Sequence, residues 1–324
     1  MENQTHYMQT PLWANIKKQY GWKNYQVVVP ELPAGSVTVY TRRVPGLGTV
    51  CYAPGLYGIN EKNVTALTEA IKKTAPKSAF VFRLESNDRA SNEVLSALQQ
   101  AAWKKTAKHV QYRHTVQLDL TLPDNDLWMS LKSRGRYEIL QAEKFGVVPE
   151  EVETTDENLE KMYELMQITS SRNAFFIRDK DFTMAYWKAF REAGQLRLFF
   201  ASHEADTLAG AVVITNGIHA WYKDGGSVRL KSKLMAARLL QWDIVKTLKK
   251  QGFTQYDLGG IPEPDTHQDS SMKGIYVFKT AYSKDTISLL PTLELPLSKS
   301  YTLWPKAEKQ WLRAYNFFAH NLWW

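Results

Sequence analysis

The sequence predicts an α/β protein with two domains. At 324 residues the chain is long for one hydrophobic core, so two domains of roughly 150 residues are expected. Segments with strand-like alternation interchange with segments of helical periodicity, which is typical of α/β folds. Hydrophobic residues account for 44% and charged residues for 23% of the chain, as in ordinary globular proteins. The chain is therefore expected to bury a sizeable core.

The first part of the chain opens with a short amphipathic helix. Thr10 is its predicted N-cap, Pro11 takes the first helical position, and Trp13 and Ile16 recur at helical spacing. The pattern that follows predicts strands at 26–29, 36–42, 48–53 and 79–84, and helices at 64–73 and 92–102. Cys51 lies in an apolar strand and is expected to be a core residue.

The second part begins with an alternating strand that ends at Pro123, followed by one helix that extends to Lys144. Asp179 or Asp181 is expected to cap a later helix. The remaining pattern predicts strands at 113–122, 195–202, 207–215 and 219–223, a turn at 225–227, and a long helix at 231–250. Gly252 ends that long helix.

The stretch from Tyr256 to Tyr282 has the pattern of a binding site. A buried strand runs into Gly259-Gly260, a polar loop follows at 262–271, and an apolar run ends in Phe278-Lys279. Paired glycines let a backbone approach a ligand closely, and the lysine returns a positive charge to the same region. A glycine turn, a flexible loop and a solvated lysine explain the same spacing equally well.

Charge and composition limit the class of partner. The net charge of +8 favours an anionic partner, whether nucleic acid, a phosphorylated metabolite or an anionic membrane surface. Cys51 is the single cysteine, which excludes an intrachain disulfide and indicates a reducing compartment. No signal-peptide pattern and no apolar run of roughly 18 residues is present. We therefore expect a cytoplasmic protein.

Two arginines flank an aromatic pair in the middle of the chain. Arg172 and Arg178 bracket Phe175-Phe176 just before a predicted helix. Arginines at a helix entrance suit bidentate recognition of phosphate. Two arginines on a loop are also common without any function.

The order of strand meander, turn, long helix and strand resembles an acetyltransferase-type fold. In such enzymes, closely spaced glycines before the long helix offer backbone amides to the pyrophosphate of coenzyme A. Here that segment reads SVRLKSKLM and contains no glycine pair. An acetyl-CoA-dependent N-acyltransferase is therefore a disfavoured alternative.

Several segments together resemble the FemABX family of non-ribosomal peptidyltransferases, which use aminoacyl-tRNA to build the interpeptide bridge of peptidoglycan. The matching segments, in order, are QTPLWANIKKQYGW, RGRYEILQAEKFGV, SRNAFFIR, AWYKDGGS, YDLGGI and GIYVFK. The resemblance implies two acetyltransferase (GNAT)-like domains, formed by residues 1–122 with 291–324 and by residues 123–290. The sequence has no heptad run for the coiled-coil arm that some members insert. Aminoacyl-tRNA is the implied co-substrate, with no other cofactor.

The resemblance also implies the site residues. Lys17 and Arg178 match the residues that hold the diphosphate of UDP-MurNAc-pentapeptide, and Tyr222 matches a tyrosine of the same acceptor site. Phe278 and Lys279 match the pair beside the donor channel. Lys279 then stabilises the tetrahedral oxyanion of acyl transfer or anchors the terminal adenosine, and Phe278 offers a stacking face to an unpaired base.

Three residues of the strand that runs into Gly259-Gly260 complete the set of predicted site residues. Gly259 and Gly260 are expected to line the substrate site. Asp257 is the nearest carboxylate for a general base, although carboxylates beside glycine turns more often bind backbone amides. Substrate-assisted proton transfer, with positioning as the main catalytic effect, is the preferred account. The loop 262–271 is a candidate mobile cover.

The implied partners are aminoacyl-tRNA and either UDP-MurNAc-pentapeptide or lipid II, bound by a monomer. The C-terminal helix carries a stripe that includes Trp311 and Tyr315, with Lys306, Lys309 and Arg313 beside it. Core packing explains this stripe most simply, and a peripheral contact with the inner membrane surface is the alternative. A non-catalytic protein that binds tRNA or the cell-wall precursor on the same scaffold is the remaining functional alternative.

Overall fold

The computed structural model describes residues 5–173, 176–263 and 272–319. The chain forms two compact units, Met1–Arg113 with Ser288–Trp324 and His114–Ile287. The sequence had placed the divisions after residues 122 and 290. The first division falls earlier because the strand that starts at His114 pairs with a strand of the second unit.

The helices and strands below are numbered in chain order. The helices are α1 (Pro11–Gln19), α2 (Val64–Thr74), α3 (Asn92–Gln100), α4 (Asp124–Ser130), α5 (Ser133–Lys144), α6 (Asp156–Asn173), α7 (Lys180–Glu192), α8 (Ala236–Lys250), α9 (Lys273–Lys279) and α10 (Trp304–Ala319). The strands are β1 (Lys23–Val28), β2 (Ser36–Val44), β3 (Gly48–Leu56), β4 (Ala79–Ser86), β5 (Lys104–Lys105), β6 (His114–Asp119), β7 (Val148–Val152), β8 (Leu196–His203), β9 (Asp206–Asn216), β10 (His219–Ser227), β11 (Gln255–Ile261), β12 (Ile287–Ser288) and β13 (Leu293–Pro296).

The first unit contains a six-stranded sheet in the order β1-β2-β3-β4-β13-β5. Strands β3 and β4 are parallel, and the other described pairs are antiparallel. Thr10 caps α1 through its side chain, with Pro11 in the first turn, as the sequence predicts. Cys51 is fully buried in the core between the sheet and helices α2 and α3.

The C-terminal helix belongs to the first unit. The buried guanidinium of Arg83 pairs with Glu294 of β13 and, at 2.7 Å, with Glu308 of α10. Trp304 is fully buried and packs edge-on against Phe80. Four of the seven residues in the predicted apolar stripe, namely Phe318, Ala319, Leu322 and Trp323, have side chains outside the described residues. No helix in the described ranges is long and apolar enough to cross a membrane.

The second unit contains a seven-stranded sheet in the order β12-β6-β11-β10-β9-β8-β7. Its core joins the inward faces of β6, β9 and β11 to the apolar faces of α5 and α8. The longest helix among the described residues is α6, with 18 residues, so this part of the chain has no coiled-coil arm. The packing of helices on this sheet confirms the predicted α/β class.

The sheet of the second unit opens between β10 and β11. These strands are parallel and pair only from His219 with Gln255 to Trp221 with Asp257. Beyond that point β10 continues along β9, and β11 continues along β6. Their carboxyl ends therefore separate, and the gap gives a ligand access to the interior of the sheet.

Two predicted glycine breaks lie inside strands. Gly225-Gly226 does not form a turn, because β10 runs on to Ser227. A Cβ atom on Gly226 would lie 2.5 Å from the backbone of Leu165, so glycine is needed there for the close approach of α6. Gly259-Gly260 likewise does not end β11, because a β-bulge between Asp257 and Gly260 absorbs the positive φ of 74° at Gly259.

The single helix predicted after Pro123 is two helices, α4 and α5. Leu131 and Lys132 between them have extended backbones. Leu131 is fully buried, and the amide of Lys132 donates to the carbonyl of Ala281 at 3.0 Å. A Cβ atom on Gly135 would lie 2.6 Å from that same carbonyl. The break therefore docks α5 closely against the segment that follows α9.

Candidate active site

A large cavity of the second unit lies where β10 and β11 separate. Its volume is about 930 Å³, and its walls come from α6, the start of α7, β10, the start of α8 and α9. Seven cationic side chains line it: Arg172, Arg178, Lys223, Arg229, Lys231, Arg238 and Lys279. Such a lining suits an anionic ligand.

Lys279 lies at the end of α9 and faces the opening of the sheet. Its Nζ donates to the carbonyl of Gly260 at 2.9 Å and lies 5.7 Å from the ring centroid of Tyr222. Burial lowers the pKa of Lys279 to about 8, although the charge of Asp257 opposes this shift. The ammonium is thus held in place and close to its titration point at neutral pH.

Helix α9 is fixed by Arg238 of α8. The guanidinium of Arg238 donates to the carbonyls of Val277 and Phe278, pairs with Glu138 at 2.7 Å, and lies 4.8 Å from the ring centroid of Phe278. A cation that binds the last carbonyls of a helix also complements the helix dipole. Arg238 therefore positions both Phe278 and Lys279, and both of these residues line the cavity.

Asp257 lies behind the cavity wall and does not line it. Its carboxylate accepts hydrogen bonds from the Thr115 hydroxyl, from Gln117 Nε2 at 3.0 Å and from the amide of Gly259 at 2.7 Å. Burial raises the pKa of Asp257, and these three donors oppose that shift. The general-base assignment therefore does not fit this geometry. Asp257 holds the bulge that presents the carbonyl of Gly260 to Lys279.

Gly259 and Gly260 are also absent from the cavity lining. The carbonyl of Gly259 accepts from Thr115 at 3.1 Å, and the carbonyl of Gly260 accepts from Lys279. Their predicted role as direct ligands is thus replaced by support of the lysine. The predicted cover over the site, 262–271, lies outside the described residues apart from 262–263.

Arg178 and Tyr222 line the same cavity as Phe278 and Lys279. The guanidinium of Arg178 stacks 4.5 Å from the ring centroid of Phe182. Asp179 caps α7 by accepting from the amide of Phe182 at 2.8 Å, which confirms one of the two predicted caps. Phe175 lies outside the described residues. Four of the predicted site residues are therefore brought together by the fold of one unit.

Lys17 lies in the first unit, on α1. It is buried, and its Nζ lies 4.9 Å from the ring centroid of Trp22. The neighbouring Trp13 and Ile16 are buried too. The shared binding of one diphosphate by Lys17 and Arg178 stays a prediction.

Sequence reasoning missed several cavity residues, among them Asp224, Arg229 and Arg238. Arg238 could have been found from the sequence, because it is a charged residue on the apolar side of α8. The structure shows it to be buried. Asp224 falls in a strand that was expected to end at Lys223. No spacing rule marks Arg229, because its loop has neither helical nor strand periodicity.

Comparisons with known proteins agree with the fold. Residues 130–269 match the family model described as an acetyltransferase (GNAT) domain. The chain is 22% identical over 352 residues to a lipid II:glycine glycyltransferase of Staphylococcus epidermidis, an alignment that covers 85% of this chain and 84% of the relative. The protein of the same name from Staphylococcus aureus is 21% identical over 358 residues, with the same coverage.

Among solved structures, FemX superposes with a TM-score of 0.81 at 20% identity, covering 94% of both chains. The chain shares the fold of FemX. The C-terminal domain of a lysylphosphatidylglycerol synthetase from Agrobacterium fabrum is a more distant match, with a TM-score of 0.57, 12% identity, and coverage of 94% of this chain and 93% of that one. Its similarity shows that the fold is shared beyond the FemABX family.

Proposed function

We propose that this protein is an aminoacyltransferase that moves an amino acid from aminoacyl-tRNA to an amine of the stem peptide of a peptidoglycan precursor. The observation that carries the proposal is the fixed ammonium of Lys279 at the opening of the sheet, beside Tyr222 and Phe278. The name of the Staphylococcus relatives, lipid II:glycine glycyltransferase, supports the same reaction class. UDP-MurNAc-pentapeptide and lipid II are both candidate acceptors.

The reaction forms an amide bond and breaks the ester bond to the tRNA ribose. The acceptor amine attacks the ester carbonyl and creates a tetrahedral oxyanion, which the ammonium of Lys279 stabilises. Collapse of this intermediate expels the ribose oxygen. The proton lost by the amine passes within the substrates to that oxygen, and positioning supplies much of the rate enhancement.

A mass assay tests the proposal. The protein is incubated with a panel of charged tRNAs and with each acceptor in turn. We expect the acceptor to gain the mass of one aminoacyl residue with at least one charged tRNA, and ribonuclease treatment of the tRNA beforehand should abolish the gain. Absence of product with every small amino acid and both acceptors contradicts the proposal.

The match to a GNAT domain model favours one second candidate, an acetyl-CoA-dependent N-acyltransferase. The turn before α8, residues 228–235, lacks glycine, and its Lys231 and Met235 adopt positive φ instead. Titration calorimetry with coenzyme A distinguishes the two. Micromolar binding of coenzyme A, together with acetyl transfer to an amine, would favour this second candidate.

A further inference from the structure

Asp224 is the one carboxylate among the described residues that line the cavity. It sits in β10 just after a bulge, where Tyr222 pairs with Val213 and Asp224 pairs with Val212. Lys223 is thus the extra residue of the bulge. Bulges commonly re-aim side chains beside active sites, and here Tyr222, Lys223 and Asp224 all line the cavity.

Two buried aromatic residues of α7 hold the carboxylate of Asp224. Its Oδ2 accepts from the hydroxyl of Tyr186 and, at 3.0 Å, from Nε1 of Trp187. Tyr186 is 2% exposed and Trp187 is fully buried. The carboxylate is therefore pre-oriented before any ligand binds.

The other oxygen, Oδ1, remains available to a ligand. It accepts no hydrogen bond from any residue in the described ranges, and the nearest cation, Lys223 Nζ, lies 3.7 Å away. Lys223 also lies 5.2 Å from the ring centroid of Tyr186. A carboxylate oxygen has lone pairs for two donors, so a primary ammonium group fits this position.

Tyr222 connects this carboxylate to Lys279. The charge of Asp224 contributes, after burial, to the raised pKa of Tyr222, and the ammonium of Lys279 lies 5.7 Å from the Tyr222 ring centroid. Asp224 and Lys279 therefore both lie close to Tyr222. An amine nucleophile must lie close to the group that stabilises the oxyanion.

We propose that Asp224 binds the primary ammonium group of the acceptor peptide and so selects acceptors that carry a free amine. The inference rests on the proposed function, because it takes the acceptor to be an amine that also carries an anionic diphosphate. Arg178, one of the seven cations, is predicted to hold the diphosphate, and the single carboxylate suits the ammonium. The ammonium is then held beside Tyr222, loses one proton to solvent and attacks as the neutral amine, whose second proton passes to the ribose oxygen.

Titration calorimetry without donor tests the assignment. The two ligands are UDP-MurNAc-pentapeptide with a free side-chain amine and the same compound acetylated on that amine. We expect the wild-type protein to bind the free amine at least about tenfold more tightly, since a hydrogen bond between charged groups is lost on acetylation. In Asp224→Asn, which keeps an oxygen for Tyr186 and Trp187, the two ligands should bind equally.

Two further variants keep the test decisive. Asp156→Asn removes a carboxylate that pairs with Lys188 and Arg191 outside the cavity, and it should keep the tenfold preference. Lys223→Met removes the nearest competing cation and should enlarge the preference, even if Asp224→Asn fails to fold.

Equal binding of the two ligands by the wild-type protein overturns the assignment of Asp224 and leaves the proposed function standing. A preference that survives in Asp224→Asn overturns it too, since Asp224 would then serve only to join α7 to β10. Absence of binding by either ligand overturns the assignment for this acceptor, and the proposed function would then require lipid II as the acceptor.

Discussion

Lys279 differs from a solvated surface lysine in two ways at the residue scale. Its ammonium is fixed by the carbonyl of Gly260, and burial lowers its pKa to about 8. The motif predicted a lysine near the glycine pair but not this contact, because the contact depends on a bulge in β11 that no local pattern marks. Lys279 is therefore predictable from the sequence, whereas the supporting role of the two glycines is not.

The rate of transfer should depend on pH through Lys279. The charged form is present below a pKa of about 8 and is lost as the pH rises through that value. On the acid side, the rate rises with pH because the acceptor amine loses its proton. On the alkaline side, the rate falls because Lys279 loses its charge, so a bell-shaped profile is expected.

Single-turnover rates between about pH 6.5 and 9.5, corrected for ester hydrolysis, check this prediction. Lys279→Arg stays charged over the whole range and should lose the alkaline decline, even if its maximal rate is lower. If the rate of Lys279→Arg still declines at alkaline pH as in the wild type, the decline comes from a group other than Lys279.

At the scale of the element, α9 depends on its neighbours for its position. Seven residues are too few for a helix that is stable alone. Arg238 binds its last carbonyls, and α5 docks closely against the segment that follows it. Helix α5 lies against this segment because the chain breaks at Leu131 and Lys132, where a single helix was predicted. The break depends on tertiary contacts, which helical periodicity does not reveal.

Arg238→Met should destabilise the second unit and slow transfer. It removes the cation that pairs with the buried Glu138 and binds the end of α9, so we expect a loss of about 3 kcal/mol in the free energy of unfolding. Chemical denaturation followed by fluorescence measures this loss.

Arg134→Met is the matched control, since Arg134 also pairs with Glu138 but its side chain is 78% exposed. Exposed ion pairs contribute less than about 1 kcal/mol. Equal losses in the two variants would mean that Arg238 does not anchor α9.

At the scale of the whole molecule, much of the secondary structure follows from the sequence. The end of α8 before Gly252, the meander of β8 and β9, and the buried strands β3 and β4 are confirmed close to their predicted bounds. Helix α8 begins at Ala236 and not at the predicted residue 231. The opening between β10 and β11 could not be predicted from the sequence. It forms because β10 stays paired with β9 while β11 stays paired with β6, and strand partners are not encoded in a local pattern. That opening creates the cavity. Local patterns pointed to its Arg172, Arg178, Phe278 and Lys279, whereas only the family resemblance pointed to Tyr222.

The positive charge of the chain should make tRNA binding sensitive to salt. The net charge is +8, and each phosphate contact adds about 0.7–0.9 to the slope of log affinity against log salt. Arg229→Gln removes one cavity cation and should lower the slope by about one. Lys188→Gln, which removes a cation paired with Asp156 outside the cavity, should leave the slope unchanged. Filter binding at several salt concentrations measures both slopes, and equal slopes for Arg229→Gln and wild type contradict a phosphate contact there.

The central claim is that Lys279 stabilises the oxyanion of acyl transfer from aminoacyl-tRNA. Its most direct test is the single-turnover rate of transfer from labelled aminoacyl-tRNA to the acceptor, for wild type and Lys279→Ala at saturating concentrations of both substrates. Removing one such stabilising group typically slows the chemical step by about 100- to 1,000-fold. We expect a loss of that size with acceptor affinity retained. A Lys279→Ala variant that transfers at the wild-type rate would contradict the account.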